Sequence, residues 1–175
     1  SNGTLLYVDD EADNLFVFRV AFADDFELIE ARSGSEALDI LARKHVDCLI
    51  ADQRMPGMSG IELLEVVKDR WPDVIRIVLT GYTYPDDIIA AINKGQAYKF
   101  VTKPWDRKDL FFTIRRALEA RDLDLRNRRL TEELLRQEKF ADPGRSAAAI
   151  GHEIKNSLCS TTLAELVRKR YPDDP

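Results

Sequence analysis

The sequence lacks the features that mark several classes of protein. No apolar run approaches the ~20 residues that a helix needs to cross a bilayer, and no segment has the apolar core of a signal peptide. The two cysteines, Cys48 and Cys159, are far apart and show no CxxC spacing, which argues against a disulfide framework and against a zinc site. The formal net charge is −5, so Lys and Arg are not in excess to neutralise nucleic-acid phosphates. We therefore expect a cytoplasmic protein that binds neither nucleic acid nor membrane.

The first 105 residues alternate short apolar runs with amphipathic stretches. A chain of 175 residues, 45% of them hydrophobic, is long enough for one well-cored domain and an extension. The apolar runs are Leu5–Val8, Phe26–Ile29, Cys48–Ala51, Ile75–Leu79 and Tyr98–Val101. Because hydrophobicity is nearly continuous within each run, the pattern predicts strands that are covered on both faces, as in a parallel sheet.

Helical patterns separate these runs. One follows Gly34, a second continues from Ser59 to a stop at Pro72, and a third opens at Pro85 and ends at Gly95. The repeated strand–helix order predicts an α/β fold with a doubly wound, five-stranded parallel sheet. Ligands of such sheets bind at the carboxyl ends of the strands.

Polar residues stand at the carboxyl ends of four of the predicted strands. Asp9 and Asp10 follow the first strand, Asp52 the third, Thr80 the fourth and Lys103 the fifth. Parallel strands share one rim, so we expect these side chains to converge. A carboxylate such as Asp52 is costly to bury without a partner. Pairing with Lys103, and a hard cation held by the acids, would offset that cost.

Residues 4–120 resemble the receiver domain of two-component signalling. The resemblance depends on the paired acids, on the strand-end aspartate followed by "MPGMSG", on the threonine and on the "KP" dipeptide. It implies a flavodoxin-like receiver fold in which Asp52 is the phosphoacceptor. It also implies a Mg²⁺ ion bound directly by Asp10, Asp52 and the Arg54 carbonyl, with Asp9 acting through water.

The same resemblance assigns roles to the other strand ends. Thr80 would hydrogen-bond the new phosphoryl group, Lys103 would neutralise its oxygens, and Phe100 would occupy the position of the switch aromatic. The general preference of X-Pro bonds predicts a trans Pro104, although receivers often have a cis bond there. The implied partner is a phosphodonor or phosphoacceptor protein of a two-component pathway.

The composition of the sequence changes after Trp105. From residue 106 to residue 142 there is neither proline nor glycine, and a four-three alternation suggests a heptad seam. Its positions are Ala120, Leu123, Asn127, Leu130, Leu134, Gln137 and Ala141. An Asn in an a-type position favours a parallel homodimer. We thus expect residues 121–142 to be a coiled-coil linker that continues the last receiver helix; the alternative is an unpartnered amphipathic surface helix.

A second short motif, "HEIKN", begins at His152. It resembles the H-box of histidine kinases, which implies that His152 accepts a phosphoryl group, Glu153 acts as its base and Asn156 positions water. On this basis residues 143–175 would be part of a dimerisation and phosphotransfer region. The chain shows no glycine-rich ATP lid, so we do not expect it to bind ATP. The alternative is an exposed histidine without a special role.

The sequence therefore predicts a receiver module whose Mg²⁺-dependent phosphorylation on Asp52 regulates an attached histidine kinase dimerisation helix. Two alternatives stay open. One is a response regulator lacking its output domain, in which His152 is incidental. The other is a dimeric interaction scaffold that is never phosphorylated.

Overall fold

The computed structural model describes residues 2–81 and 97–141, together with the single positions 89 and 151. The strands are β1 Thr4–Val8, β2 Glu27–Ala31, β3 Cys48–Asp52, β4 Ile75–Thr80 and β5 Lys99–Thr102. The helices of the described residues are α1 Ala12–Phe22, α2 Gly34–Arg43, α3 Gly60–Arg70 and α4 Arg107–Ala141. The predicted helix that opens at Pro85 and the H-box segment fall outside the described residues, apart from the two single positions.

The five strands form one parallel sheet with the order β2-β1-β3-β4-β5. This confirms the predicted doubly wound α/β fold. Strand β3 is central and every one of its residues is buried, which explains its continuous hydrophobicity. Strand β2 is added on one side of β1 and β3 on the other. The carboxyl ends of β1 and β3 therefore form the crevice where ligands bind in such folds.

Two apolar cores lie on opposite faces of the sheet. Alternate residues of β1 divide between them, because successive strand side chains point to opposite faces. On one face Tyr7 packs with Phe18 of α1 and Ile114 of α4. On the other face Leu6 packs with Leu63 of α3. Both cores approach the carboxyl ends of the strands and hold the strand ends in place.

Two strands begin later than their apolar runs predicted. Strand β2 begins at Glu27 because Phe26 closes the end of α1, where its N–H donates to the Phe22 carbonyl at 3.1 Å. Strand β5 begins at Lys99, and Tyr98 precedes it with 49% of its surface exposed. A large apolar side chain beside a strand looks like part of the strand in the sequence.

Helix α4 is fixed to the amino-terminal edge of the sheet by Arg121. One guanidinium nitrogen lies 2.7 Å from Asp47 Oδ1, and Nε donates to the Asp73 carbonyl at 2.6 Å. The other Asp47 oxygen accepts the Thr4 N–H at 2.8 Å. Burial alone would raise the pKa of Asp47, but the Thr4 N–H, Arg121 and His45 lower it on balance. This cluster anchors the long helix midway along its length.

The predicted uninterrupted helix is confirmed, since α4 runs for 35 residues. The chain divides into two compact units, Ser1–Leu123 and Asp124–Pro175, so the second unit starts within α4. Three leucines of the predicted seam are more than half exposed in the single chain: Leu123 at 61%, Leu130 at 63% and Leu134 at 54%. Among the described residues, no helix combines the length and apolarity that crossing a membrane requires. The coiled coil and the predicted domain boundaries remain predictions.

Candidate functional site

Asp52 is the last residue of β3, and only 8% of its surface is exposed. Its Oδ1 lies 2.5 Å from Lys103 Nζ, and its Oδ2 accepts the Arg54 N–H at 2.9 Å. An ammonium and a backbone N–H therefore compensate this carboxylate at the end of a buried strand. The predicted pairing of Asp52 with Lys103 is present in the structure.

Lys103 joins two of the acids. Its Nζ lies 3.4 Å from Asp9 Oδ2 in addition to its shorter contact with Asp52. Burial alone would lower the pKa of Lys103, but the hydrogen bonds and charges of Asp52 and Asp9 raise it on balance. The amine is thus held in its charged form. The Lys103–Pro104 peptide is cis, so the general expectation of a trans bond is wrong here.

Asp9 is completely buried and accepts several hydrogen bonds. The Glu11 N–H donates to Oδ1 at 3.0 Å, and the Tyr7 hydroxyl donates to Oδ2 at 2.9 Å. The Asn14 amide contacts both oxygens, at 3.2 and 3.1 Å. Sequence reasoning missed Tyr7 and Asn14. A signal for Tyr7 was present, since strand residues two apart share a face and Asp9 follows Tyr7 by two.

Thr80 and Asp10 complete the rim. Thr80 is the last residue of β4 and 3% exposed; the register pairs Asp52 with Leu79, so Thr80 lies one residue beyond that pair. The Lys103 N–H donates to the Thr80 carbonyl at 2.7 Å, which ties the two strand ends together. Asp10 lies half-buried on the loop after β1. Lys103 contacts both Asp9 and Asp52 directly, and the roles of Asp10 and Thr80 at this rim stay predictions.

The loop after Asp52 brings α3 back against the strand end. At Gly60 a Cβ atom would lie 2.5 Å from the Asp52 carbonyl oxygen, so only glycine allows this approach. The Gly60 N–H donates to the Gln53 carbonyl at 3.1 Å. Ser59 and Glu62 cap the helix reciprocally, each accepting the backbone N–H of the other. The "MPGMSG" segment therefore packs against the backbone carbonyl of Asp52 and the Gln53 that follows it.

The acids and backbone oxygens of the rim fit Mg²⁺. Among the described residues, no three His, Cys, Asp or Glu side chains form a ready metal cluster. Mg²⁺ does not require one, because it takes one or two protein carboxylates and keeps several waters. Asp9 and Asp52 face a single ammonium, so these three groups retain a negative charge even without Asp10. The hydrogen bond from the Arg54 N–H to Asp52 holds the Arg54 backbone close to this carboxylate.

A groove of about 530 Å³ lies beside Lys103. Its lining residues are Tyr7, Asn14, Val17, Gly81, Lys103, Pro104 and Trp105. The Trp105 ring packs edge-on against Phe18 at a centroid distance of 5.9 Å. An indole on the wall of this groove makes a natural fluorescent reporter of the site. Phe100, at the predicted switch position, is half-buried and packs against the core on the α2 and α3 side.

The response regulator receiver domain family matches residues 5–115. The chain belongs to this family. The hydrogenase transcriptional regulatory protein HoxA of Cupriavidus necator is 40% identical over 131 residues, which cover 75% of this chain and 27% of HoxA. The DNA-binding transcriptional regulator NtrC of Escherichia coli is 32% identical over 117 residues, which cover 66% of this chain and 25% of NtrC. The chain thus spans about a quarter of the length of these relatives.

Solved receiver structures agree with the fold. A response regulator receiver domain protein from Clostridium thermocellum superimposes with a TM-score of 0.65 at 31% identity, covering 69% of this chain and 98% of that chain. The receiver prediction and a place in two-component signalling are therefore confirmed. These relatives are regulators rather than histidine kinases, so they favour the response-regulator alternative over the kinase interpretation. His152, Glu153 and Asn156 lie outside the described residues, and their H-box roles stay predictions.

Proposed function

We propose that this protein is a phosphoacceptor module in which Asp52 takes a phosphoryl group in a reaction that depends on Mg²⁺. The observation that carries the proposal is the position of Lys103, whose ammonium contacts both Asp52 and Asp9 at the carboxyl edge of the sheet. In the reaction one Asp52 carboxylate oxygen forms a bond to phosphorus. The bond from phosphorus to the donor's leaving atom breaks, and its electron pair departs with the leaving group, which gives an acyl phosphate.

The residues around Asp52 supply positioning and charge. The Arg54 N–H holds one carboxylate oxygen, and this leaves the acid in a fixed orientation for attack. The Lys103 ammonium contacts Asp52 and can exchange this contact for one with an oxygen of the incoming phosphoryl group. The buried Thr80 hydroxyl would donate to a second phosphoryl oxygen. Asp10, Asp52 and the Arg54 carbonyl would hold Mg²⁺ directly, and Asp9 would hold it through water. The bound ion would neutralise the charge of the phosphoryl group.

The relatives support placing this module in a response regulator. In this proposal a phosphodonor protein of a two-component pathway phosphorylates Asp52, and the phosphorylated receiver controls the activity of the protein that contains it. Regulation of an attached histidine kinase helix is the less supported interpretation, since it depends on the short His152 motif. A His152→Ala variant separates the two. Unchanged phosphotransfer with the cognate kinase supports a response regulator, and loss of transfer supports the kinase interpretation.

We also propose that α4 forms a parallel homodimer. Leu123, Leu130 and Leu134 each expose more than half of their surface in the single chain. Their heptad spacing would bury them against a second copy, with Asn127 paired across the seam. Phosphorylation of the receiver would then act on the dimer through the helix that Arg121 anchors to the sheet.

The test of the proposed function uses the wild-type protein, Mg²⁺ and a small acyl phosphate. Phosphorylation of Asp52 is expected to change the Trp105 fluorescence, and chelation of Mg²⁺ should prevent the change. Asp52→Asn is expected to abolish the change. Asp69→Asn, which alters an exposed aspartate on α3, should leave it intact. An unchanged response in Asp52→Asn would overturn the proposal.

A further inference from the structure

The hydroxyl of Tyr7 is a polar group inside the apolar core. Tyr7 is 1% exposed, and its ring stacks on Phe18 with a centroid distance of 3.9 Å and an interplanar angle of 13°. This packing directs the hydroxyl to Asp9 Oδ2, 2.9 Å away. Burial raises the pKa of Tyr7, and the Asp9 carboxylate raises it further. The hydroxyl thus meets Asp9 as a donor that carries no formal charge.

Asp9 Oδ2 is shared between neutral donors and one cation. Tyr7 donates at 2.9 Å and Asn14 at 3.1 Å, whereas Lys103 Nζ stays at 3.4 Å. The same ammonium lies much closer to Asp52, at 2.5 Å. Hydrogen bonds from charged donors are roughly twice as strong as neutral ones. If the Tyr7 donor were absent, Lys103 would be the strongest remaining donor to this oxygen and would move onto it.

We propose that Tyr7 is a positioning residue that satisfies Asp9 without adding charge and so prevents Lys103 from closing onto it. This inference rests on the proposed function, because it concerns how the same acids bind Mg²⁺. An ammonium held tightly between Asp9 and Asp52 competes with a divalent cation for their negative charge. The Tyr7 hydroxyl weakens that competitor at Asp9 and leaves the acids available to the metal.

Tyr7→Phe isolates the hydroxyl, because phenylalanine keeps the ring that stacks on Phe18. We expect its Mg²⁺ dissociation constant, measured by calorimetry and by Trp105 fluorescence, to rise about tenfold, as for other residues that orient metal ligands. The dissociation constant is the readout here, because a shift of Lys103 toward Asp9 would also alter its contact with Asp52. Tyr98→Phe removes the hydroxyl of a half-exposed tyrosine and should leave the Mg²⁺ affinity unchanged.

A second comparison tests the role of Lys103. In a Lys103→Met background no ammonium is present to close onto Asp9, so adding Tyr7→Phe should no longer weaken Mg²⁺ binding. A merely structural role of Tyr7 would give the same loss in both backgrounds, and that result would overturn the inference. So would a folded Tyr7→Phe protein that binds Mg²⁺ as tightly as the wild type.

The two proposals fail in different ways. A wild-type protein that binds Mg²⁺ but takes no phosphoryl group on Asp52 would overturn the proposed function, while the Tyr7→Phe comparison would still decide the role of Tyr7. A wild-type protein that is phosphorylated normally, with no difference between Tyr7→Phe and Tyr98→Phe, would overturn only the inference about Tyr7. A wild-type protein that binds no Mg²⁺ would overturn that inference regardless of phosphorylation.

Discussion

Gly60→Ala is expected to damage the site through the backbone of Asp52 and Gln53. The new Cβ would lie 2.5 Å from the Asp52 carbonyl oxygen and 3.1 Å from Gln53 Cα, where ordinary contact begins at 3.4 Å. The start of α3 and the end of β3 must therefore separate by about 0.9 Å. Both partners are backbone atoms, so no side-chain rotation relieves the clash. Overpacking of this kind costs about 1–3 kcal/mol of unfolding free energy.

The same shift moves the phosphoacceptor. A displacement of about 1 Å in a reacting group costs on the order of 100-fold in rate, so phosphorylation by a small acyl phosphate with Mg²⁺ should slow by about that factor. Urea unfolding followed by tryptophan fluorescence measures the stability, and Trp105 fluorescence measures the phosphorylation rate. Asp69→Asn is the control, because it changes an exposed residue of the same helix without introducing a clash at the strand end. A Gly60→Ala protein with wild-type stability and rate would refute the reasoning.

Three further predictions concern other parts of the molecule. Arg121→Met should lower the unfolding free energy by about 2 kcal/mol in urea, because Asp47 loses a charged donor. The pKa of Asp47 lies below 3.8 in the folded protein, so its contribution to stability is present above pH 3.8 and is lost as the pH falls through the folded pKa. This contribution should shrink in Arg121→Met. Equal dependence of the unfolding free energy on acid pH in the two proteins would contradict this. Leu130→Glu should convert the proposed dimer to a monomer in light scattering without altering receiver stability, and a Leu130→Glu protein that still dimerises would exclude the seam. The pKa of Lys103 lies above 10.5 in the folded protein, so its contribution to stability is complete below pH 10.5 and is lost as the pH rises through the folded pKa. Lys103→Met should lack this loss. Unfolding free energies of the two proteins, measured over a series of alkaline pH values, make the comparison.

Most of the sheet was predictable because burial on both faces leaves a strong signal. Strand β3 has no exposed residue, and its sequence is an uninterrupted apolar run up to Asp52. Helix α1 gave no such signal. It buries Leu15 and Phe18 yet exposes Phe16 and Val20, so its apolar residues surround the helix instead of forming one stripe. Its N-cap, Glu11, also makes no side-chain capping hydrogen bond.

The site was predictable to the level of strand ends but not to the level of contacts. The parallel sheet alone requires Asp9, Asp52 and Lys103 to lie at one edge. It does not fix how one ammonium divides between two acids, since that depends on side-chain conformations and on neighbouring donors. Tyr7 illustrates this, because in the sequence it is one more large residue in a buried strand. Its two-residue spacing from Asp9 places both on one face of the strand, but the hydrogen bond between them is seen only in the structure.

The most direct test of the central claim is mass-spectrometric mapping of the wild-type protein after exposure to a small acyl phosphate and Mg²⁺. We predict one added phosphoryl group on the peptide that contains Asp52, and none in the Asp52→Asn protein or without Mg²⁺. A phosphoryl group on another residue, or equal labelling of Asp52→Asn, would contradict the claim that this strand end is the phosphoacceptor site.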